Sequence, residues 1–107
     1  ASFVARWTTY HPRQMTQSTK KAIQKKGFSL IEVISQCPVQ FGRVSKQGSA
    51  VNMLKHYKLN GIRVEKASTM DAAALQGKIV EGEFVDSDKP ELIASTAVMQ
   101  QRIGGKA

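Results

Sequence analysis

GFSLIEVISQCPVQFGR, residues Gly27 to Arg43, is the stretch that decides how this chain is read. Its first half places apolar residues at 28, 30, 31, 33 and 34, so both faces of the Phe28–Ser35 segment are apolar. A strand covered on both sides looks like this, and such strands belong to parallel sheets packed between helices. The second half breaks off into Cys37, the only cysteine, followed at once by Pro38. Glu32 interrupts the run. An unpaired buried carboxylate costs several kcal/mol, so Glu32 calls for a partly exposed edge position, a structural ion pair, a subunit boundary, or a role near a cofactor.

Upstream, Ser2 to Thr9 mixes β-branched, aromatic and apolar residues and predicts a short strand. His11-Pro12 marks a helix start, because proline costs nothing at the first helical position. Met15, Thr19, Ala22 and Ile23 follow at helical spacing along one face. Lys20, Lys21, Lys25 and Lys26 crowd the last turns, where cations oppose the negative helix end, and Gly27 is the stop. Strand, helix and strand in this order predict a βαβ unit in an α/β fold with a mostly parallel sheet. Functional groups gather at the carboxyl ends of such strands, and Cys37 lies two residues past the expected end.

Downstream, Gln36 to Gly48 has little periodicity and reads as one long loop, a length that is disproportionately functional. Ser49 is a candidate N-cap for a helix through Val51, Leu54 and Tyr57, which Asn60-Gly61 ends. Ile62 to Val64 suggests a brief extended piece, and Glu65 to Gly77 a connector in which Asp71 could open one helical turn. Lys78 to Val85 is a third strand, with Gly82 weakening it or permitting a close approach. Asp88 is a possible cap for a last helix through Leu92, Ile93 and Ile103, closed by Gly104-Gly105.

The 107 residues, 41% of them hydrophobic, suffice for one modest domain or part of one. The longest apolar runs fall far short of a membrane span, and no secretory leader is visible. A single cysteine excludes an internal disulfide and fits a reducing, cytoplasmic setting. The net charge of +8 is uneven: residues 1–63 carry eleven Lys and Arg against one acid, residues 64–107 five against seven. A basic half attracts nucleic acid, an anionic substrate or an acidic protein. Nucleic acid is disfavoured, since the seven aromatics form neither an RNP-type motif nor a stacking strip.

No hydrolytic or transfer site assembles from these residues. His11 and His56 belong to no metal-ligand spacing, and the phosphate-cradling glycine motifs are absent. Arg43 and Lys46 either face an anion or form a solvated basic loop. Cys37 has three open readings: a structural thiol, a nucleophile lacking an evident histidine base, or one ligand of a metal or iron–sulfur cluster completed from elsewhere.

The same residues carry a resemblance. GFSLIEVISQCPVQFGR resembles a segment in the β subunit of 2-oxoacid:ferredoxin oxidoreductases that runs as a Gly-Phe-Ser strand, a Ser-x-Cys-Pro step and a Gly-Arg. ARWTTYHPRQMTQSTKKAIQKK before it, and SAVNMLKHYK and GKIVEGEFVDSDKPEL after it, are similar to the flanking segments in the same order, so nearly the whole chain is covered. CPVQFGR is closer to the 2-oxoglutarate enzymes, or 2-oxoglutarate synthases, than to the pyruvate ones.

The resemblance implies a C-terminal piece of a thiamine-diphosphate-binding fold. It also implies a subunit that binds thiamine diphosphate, magnesium (Mg2+) and a 4Fe-4S cluster, with Cys37 as one cluster ligand. Its partners would be an α subunit, ferredoxin, a 2-oxoacid and CoA, and the reaction would yield succinyl-CoA. Because the family's other three cluster cysteines and its Gly-Asp-Gly segment have no counterpart here, this chain is expected to be inactive alone. An exposed apolar sheet edge, with oligomerisation as a hazard, is a further expectation. The rival is a standalone basic module for RNA or an acidic protein.

Overall fold

Strand β1 (Phe3–Thr8) runs into α1 (Pro12–Gln24), which returns the chain to β2 (Ser29–Ile34). The two strands pair in parallel, Phe3 beside Ser29 through Thr8 beside Ile34, which is the expected βαβ unit. After it come α2 (Phe41–Ser45), α3 (Ala50–Asn60), β3 (Gly61–Arg63), α4 (Val64–Ala67) and α5 (Ala72–Leu75). Strand β4 (Ile79–Asp86) and α6 (Leu92–Gly104) complete the order. This computed structural model describes residues 1–46 and 48–105.

The four strands form one sheet in the order β2-β1-β4-β3. Its outer pairs are parallel, and the central β1–β4 pair is antiparallel with an irregularity between Val4 and Ala5. Gly82 of β4 has a φ of 135°, a conformation that side-chain-bearing residues rarely adopt, and a Cβ there would come within 2.9 Å of Val64 Cγ1.

Alternation along β1 aims Phe3, Ala5 and Trp7 at α1, and these form the core, with Met15, Ala22 and Ile31 packed on it. Burying each large ring stabilises the fold by roughly 1.5–3 kcal/mol. The Trp7 indole N–H donates to Ser18 Oγ at 2.9 Å, so the buried helix position is polar and paired. The helix therefore turns Ser18 and Ala22 inward and leaves Ile23 80% exposed, against the expectation that Ile23 faces the core.

Two further expectations fail in detail. Strand β2 is an edge strand, and Leu30 and Val33 remain 50% and 44% exposed; nothing among the described residues covers it on both sides. Asp88 does not cap α6, whose N-cap is Glu91; the Asp88 carboxylate instead receives Lys25 Nζ at 3.0 Å. Glu32 pairs with Arg6 on the solvent side of the sheet, the ion-pair reading of that residue. Ser49 caps α3 and Asp71 caps α5, each through its side chain.

The described chain extends over 67 × 33 × 24 Å with a radius of gyration of 19.3 Å. A compact chain of this length would have about 13 Å. Its accessible surface, 7950 Å², exceeds the ~5,900 Å² of a compact monomer of the same mass. The excess is apolar in good part, since Leu92 and Ile103 of α6 are 82% and 75% exposed.

Candidate functional site

Parallel pairing brings the carboxyl ends of β1 and β2 to the same side of the sheet, and hydrogen bonds join the two turns that leave them. The Thr9 amide donates to the Ile34 carbonyl at 3.0 Å, and Thr9 Oγ1 donates to Gln36 Oε1 at 2.6 Å. Cys37 follows directly, three residues beyond the end of β2, and its thiol is exposed and unbridged.

Beyond Cys37 the chain turns into α2, a five-residue helix within the segment expected to be loop. The Gly42 amide donates to the Cys37 carbonyl at 2.9 Å, closing the turn. Gly42 itself is buried where the turn leans toward Met53 of α3. Inside the turn the amide N–H of Phe41, then that of Gln40, and more weakly that of Val39 donate to the Cys37 sulfur. They stabilise the thiolate and hold the thiol below its ordinary range, outweighing a small opposing effect of burial.

An exposed thiol on an ordered turn can act as a nucleophile or as a ligand to a metal or an iron–sulfur cluster. One thiolate does not hold a cluster. No group of three or more His, Cys, Asp or Glu side chains comes together among the described residues. Neither histidine approaches Cys37 as a hydrogen-bonding base: His11 Nε2 is engaged by Glu81 at 3.1 Å, and His56 Nδ1 meets Asn60 at 3.0 Å on α3. Arg43 and Lys46 are exposed around the same turn.

The sequence reading passed over Glu81. This carboxylate, 1% exposed, lies between β1 and the turn into α1. Its Oε2 accepts the Thr8 amide at 3.1 Å and Thr8 Oγ1 at 2.9 Å, while Oε1 faces His11. Glu81 thereby clamps the carboxyl end of β1, the turn whose Thr9 reaches Gln36. The available signal was an acid inside the apolar KIVEGEFV run, the same signal noticed at Glu32.

The basic half is partly neutralised within the chain. Lys21 Nζ contacts Glu83 at 2.7 Å and Asp86 at 2.9 Å, and Lys25 Nζ contacts Asp86 and Asp88 at 3.0 Å each. No described helix is long and apolar enough to cross a membrane.

No family model matches the sequence. The chain is 52% identical over 93 residues to the 2-oxoglutarate synthase subunit KorB of Methanocaldococcus jannaschii, covering 87% of this chain and 34% of that subunit. It is 45% identical over 106 residues to KorB of Methanothermobacter marburgensis, covering 99% of this chain and 37% of the subunit. KorB of Methanothermobacter thermautotrophicus is 44% identical over all 107 residues. In fold, the chain is similar to the 2-oxoglutarate:ferredoxin oxidoreductase from Magnetococcus marinus, with a TM-score of 0.66 at 23% identity, over 97% of this chain and 36% of that one. The chain thus spans about a third of the length of the relatives it matches, and over that third it is related to the KorB subunit of 2-oxoglutarate synthases.

Proposed function

We propose that this chain is part of a KorB-type subunit of a cytoplasmic 2-oxoglutarate:ferredoxin oxidoreductase, the C-terminal part, and that Cys37 supplies one thiolate to the enzyme's 4Fe-4S cluster. The enzyme would convert 2-oxoglutarate and CoA to succinyl-CoA and CO2 and pass two electrons to ferredoxin. Thiamine diphosphate with Mg2+ supplies, when bound, the nucleophilic carbon for the decarboxylation, and residues outside this chain would hold it. The remaining cluster ligands and an α subunit would come from outside this chain as well.

Within that reading each residue of the turn has a task. The amides of Phe41, then Gln40, and more weakly Val39 lower the thiol from its ordinary value and so favour its thiolate form. Thr9 and Gly42 fix the turn on either side of it. The observation that carries the reading is the pairing of KorB similarity over nearly the whole chain with an exposed, amide-supported thiol at the carboxyl end of a parallel strand.

The test is a chimera in which this sequence replaces the matched third of Methanocaldococcus jannaschii KorB, assembled anaerobically with that enzyme's other subunits. Reduction of ferredoxin that depends on both 2-oxoglutarate and CoA is expected. A soluble, iron-loaded chimera that reduces no ferredoxin, beside an active native enzyme, would overturn the reading.

A further inference from the structure

Residues 37–41, the outer part of the turn that carries Cys37, are all exposed, and Gly42 at the far end of the turn is buried. Packing therefore does not hold the entry to the turn; hydrogen bonds do. On the exit side the Gly42 amide closes on the Cys37 carbonyl at 2.9 Å. On the entry side, among the described residues, both bonds come from Thr9. Its amide donates to the Ile34 carbonyl at 3.0 Å and its hydroxyl to Gln36 Oε1 at 2.6 Å. One residue thus grips the chain on either side of Ser35.

Thr9 is itself held. The turn to which it belongs is closed by the His11 amide on the Thr8 carbonyl at 3.0 Å. Both ends of that turn reach Glu81, Thr8 through its amide and hydroxyl and His11 through its ring. The carboxylate is 1% exposed, so water hardly competes for these contacts and Thr9 becomes a fixed donor.

We propose that Thr9 is a positioning residue for Cys37: its hydroxyl, acting through Gln36, sets where the turn presents the sulfur, with Glu81 as the anchor behind it. The purpose, a thiolate offered to a cluster, rests on the KorB reading above; the contacts do not. Groups that orient a metal ligand decide whether it meets the metal correctly, and an exposed turn has few other means of doing so. The task belongs to the hydroxyl and not to the size of the side chain. Serine should therefore replace threonine here, and valine should not.

The test compares Thr9→Val, which keeps the shape and removes the donor, with Thr9→Ser, which keeps the donor. Gln36→Leu removes the acceptor from outside the sheet. In this chain, free of iron, amide hydrogen exchange at Gly42 reports the order of the turn. Exchange at Ser2 and Ser87, whose amides are bonded at the opposite end of β1, reports the fold. Expected is exchange at Gly42 about tenfold faster in Thr9→Val and Gln36→Leu, native exchange in Thr9→Ser, and no change at Ser2 and Ser87. In the KorB chimera, Thr9→Val and Gln36→Leu should alter the electron paramagnetic resonance spectrum of the reduced cluster, and Thr9→Ser should leave it native. Equal exchange at Gly42 in all four proteins would overturn the proposal. So would a matching loss of protection at Ser2 and Ser87, since Thr9 would then serve the fold alone. Fast exchange at Gly42 beside a chimera whose iron content ignores Cys37→Ser would refute the ligand assignment and leave Thr9 as the residue that positions the turn.

Discussion

His11 Nε2 lies 3.1 Å from Oε1 of the buried Glu81, and this contact ties the start of α1 to β4. Removing Glu81 strips three donors of their acceptor, and Glu81→Ala should cost roughly 1–3 kcal/mol for each buried donor left unpaired. His11→Ala leaves Glu81 with both Thr8 donors and should cost roughly 1–3 kcal/mol. Urea unfolding of the two variants should rank them in that order; equal midpoints would remove the clamp.

The lysines of α1 and the acids of β4 make stability depend on acid. Hydrogen bonds from Lys21, then Lys25, hold the Asp86 carboxyl below its ordinary value of 3.8. A depressed carboxylate contributes stability that is complete above the unfolded value and is lost as pH falls through the folded one. The difference between the protein and Asp86→Asn should therefore hold steady from pH 3.8 through neutral pH, shrink progressively as pH falls below 3.8, and vanish only below the depressed folded value. The same bonds raise Lys21 and Lys25, so their contribution is lost only in strong alkali, above the ordinary lysine range. Both effects should shrink with salt, because Lys21 and Asp86 are exposed. Acid titrations followed by circular dichroism at two salt concentrations check this.

Cys37 should react as an activated thiol. With the amides of Phe41 and Gln40 on its sulfur, the rate of iodoacetamide alkylation should reach half its maximum below pH 9.0, the ordinary thiol value. In denaturing urea the turn is lost and the inflection should return to the ordinary value. An unchanged inflection would show that the amides do not act on the sulfur.

Two glycines separate steric need from backbone need. A Cβ on Gly61 would strike the Glu81 carboxylate and come within 2.8 Å of the Tyr57 carbonyl, although the Gly61 backbone is ordinary at a φ of −69°. A Cβ on Gly77, at a φ of 74°, meets nothing within 4 Å. Gly77→Ala should cost about 1 kcal/mol, the penalty of a left-handed backbone, and Gly61→Ala clearly more. Thermal denaturation of the two variants gives the comparison.

The local patterns carried much of this architecture. Pro12, Ser49 and Gly61 mark ends of α1 and α3 in sequence and in space, whereas α1 stops at Gln24, three residues before Gly27; the βαβ unit follows from the order of the elements. What local patterns do not carry is pairing between distant segments. Nothing in KIVEGEFV announces that β4 lies antiparallel beside β1, and Glu81 becomes a clamp only through that pairing. The helix α2 escaped because its five residues follow Pro38 without periodicity and are held by the closing of the Cys37 turn. Asp88 had cap chemistry, but Lys25 lies within reach and takes the carboxylate. The apolar pattern of β2 describes a strand covered on both faces, yet the cover is not among the described residues, and so Leu30 and Val33 lie open. At the site, Cys37 was visible as the lone cysteine after a strand, whereas the amides that activate it depend on a turn that only the folded chain displays.

The most direct measurement of the central claim is the iron content and reduced-cluster electron paramagnetic resonance spectrum of the KorB chimera, beside the same chimera carrying Cys37→Ser. The serine variant should hold less iron and give an altered spectrum, with the fold intact by circular dichroism. Equal iron content and an identical spectrum in the two proteins would contradict it.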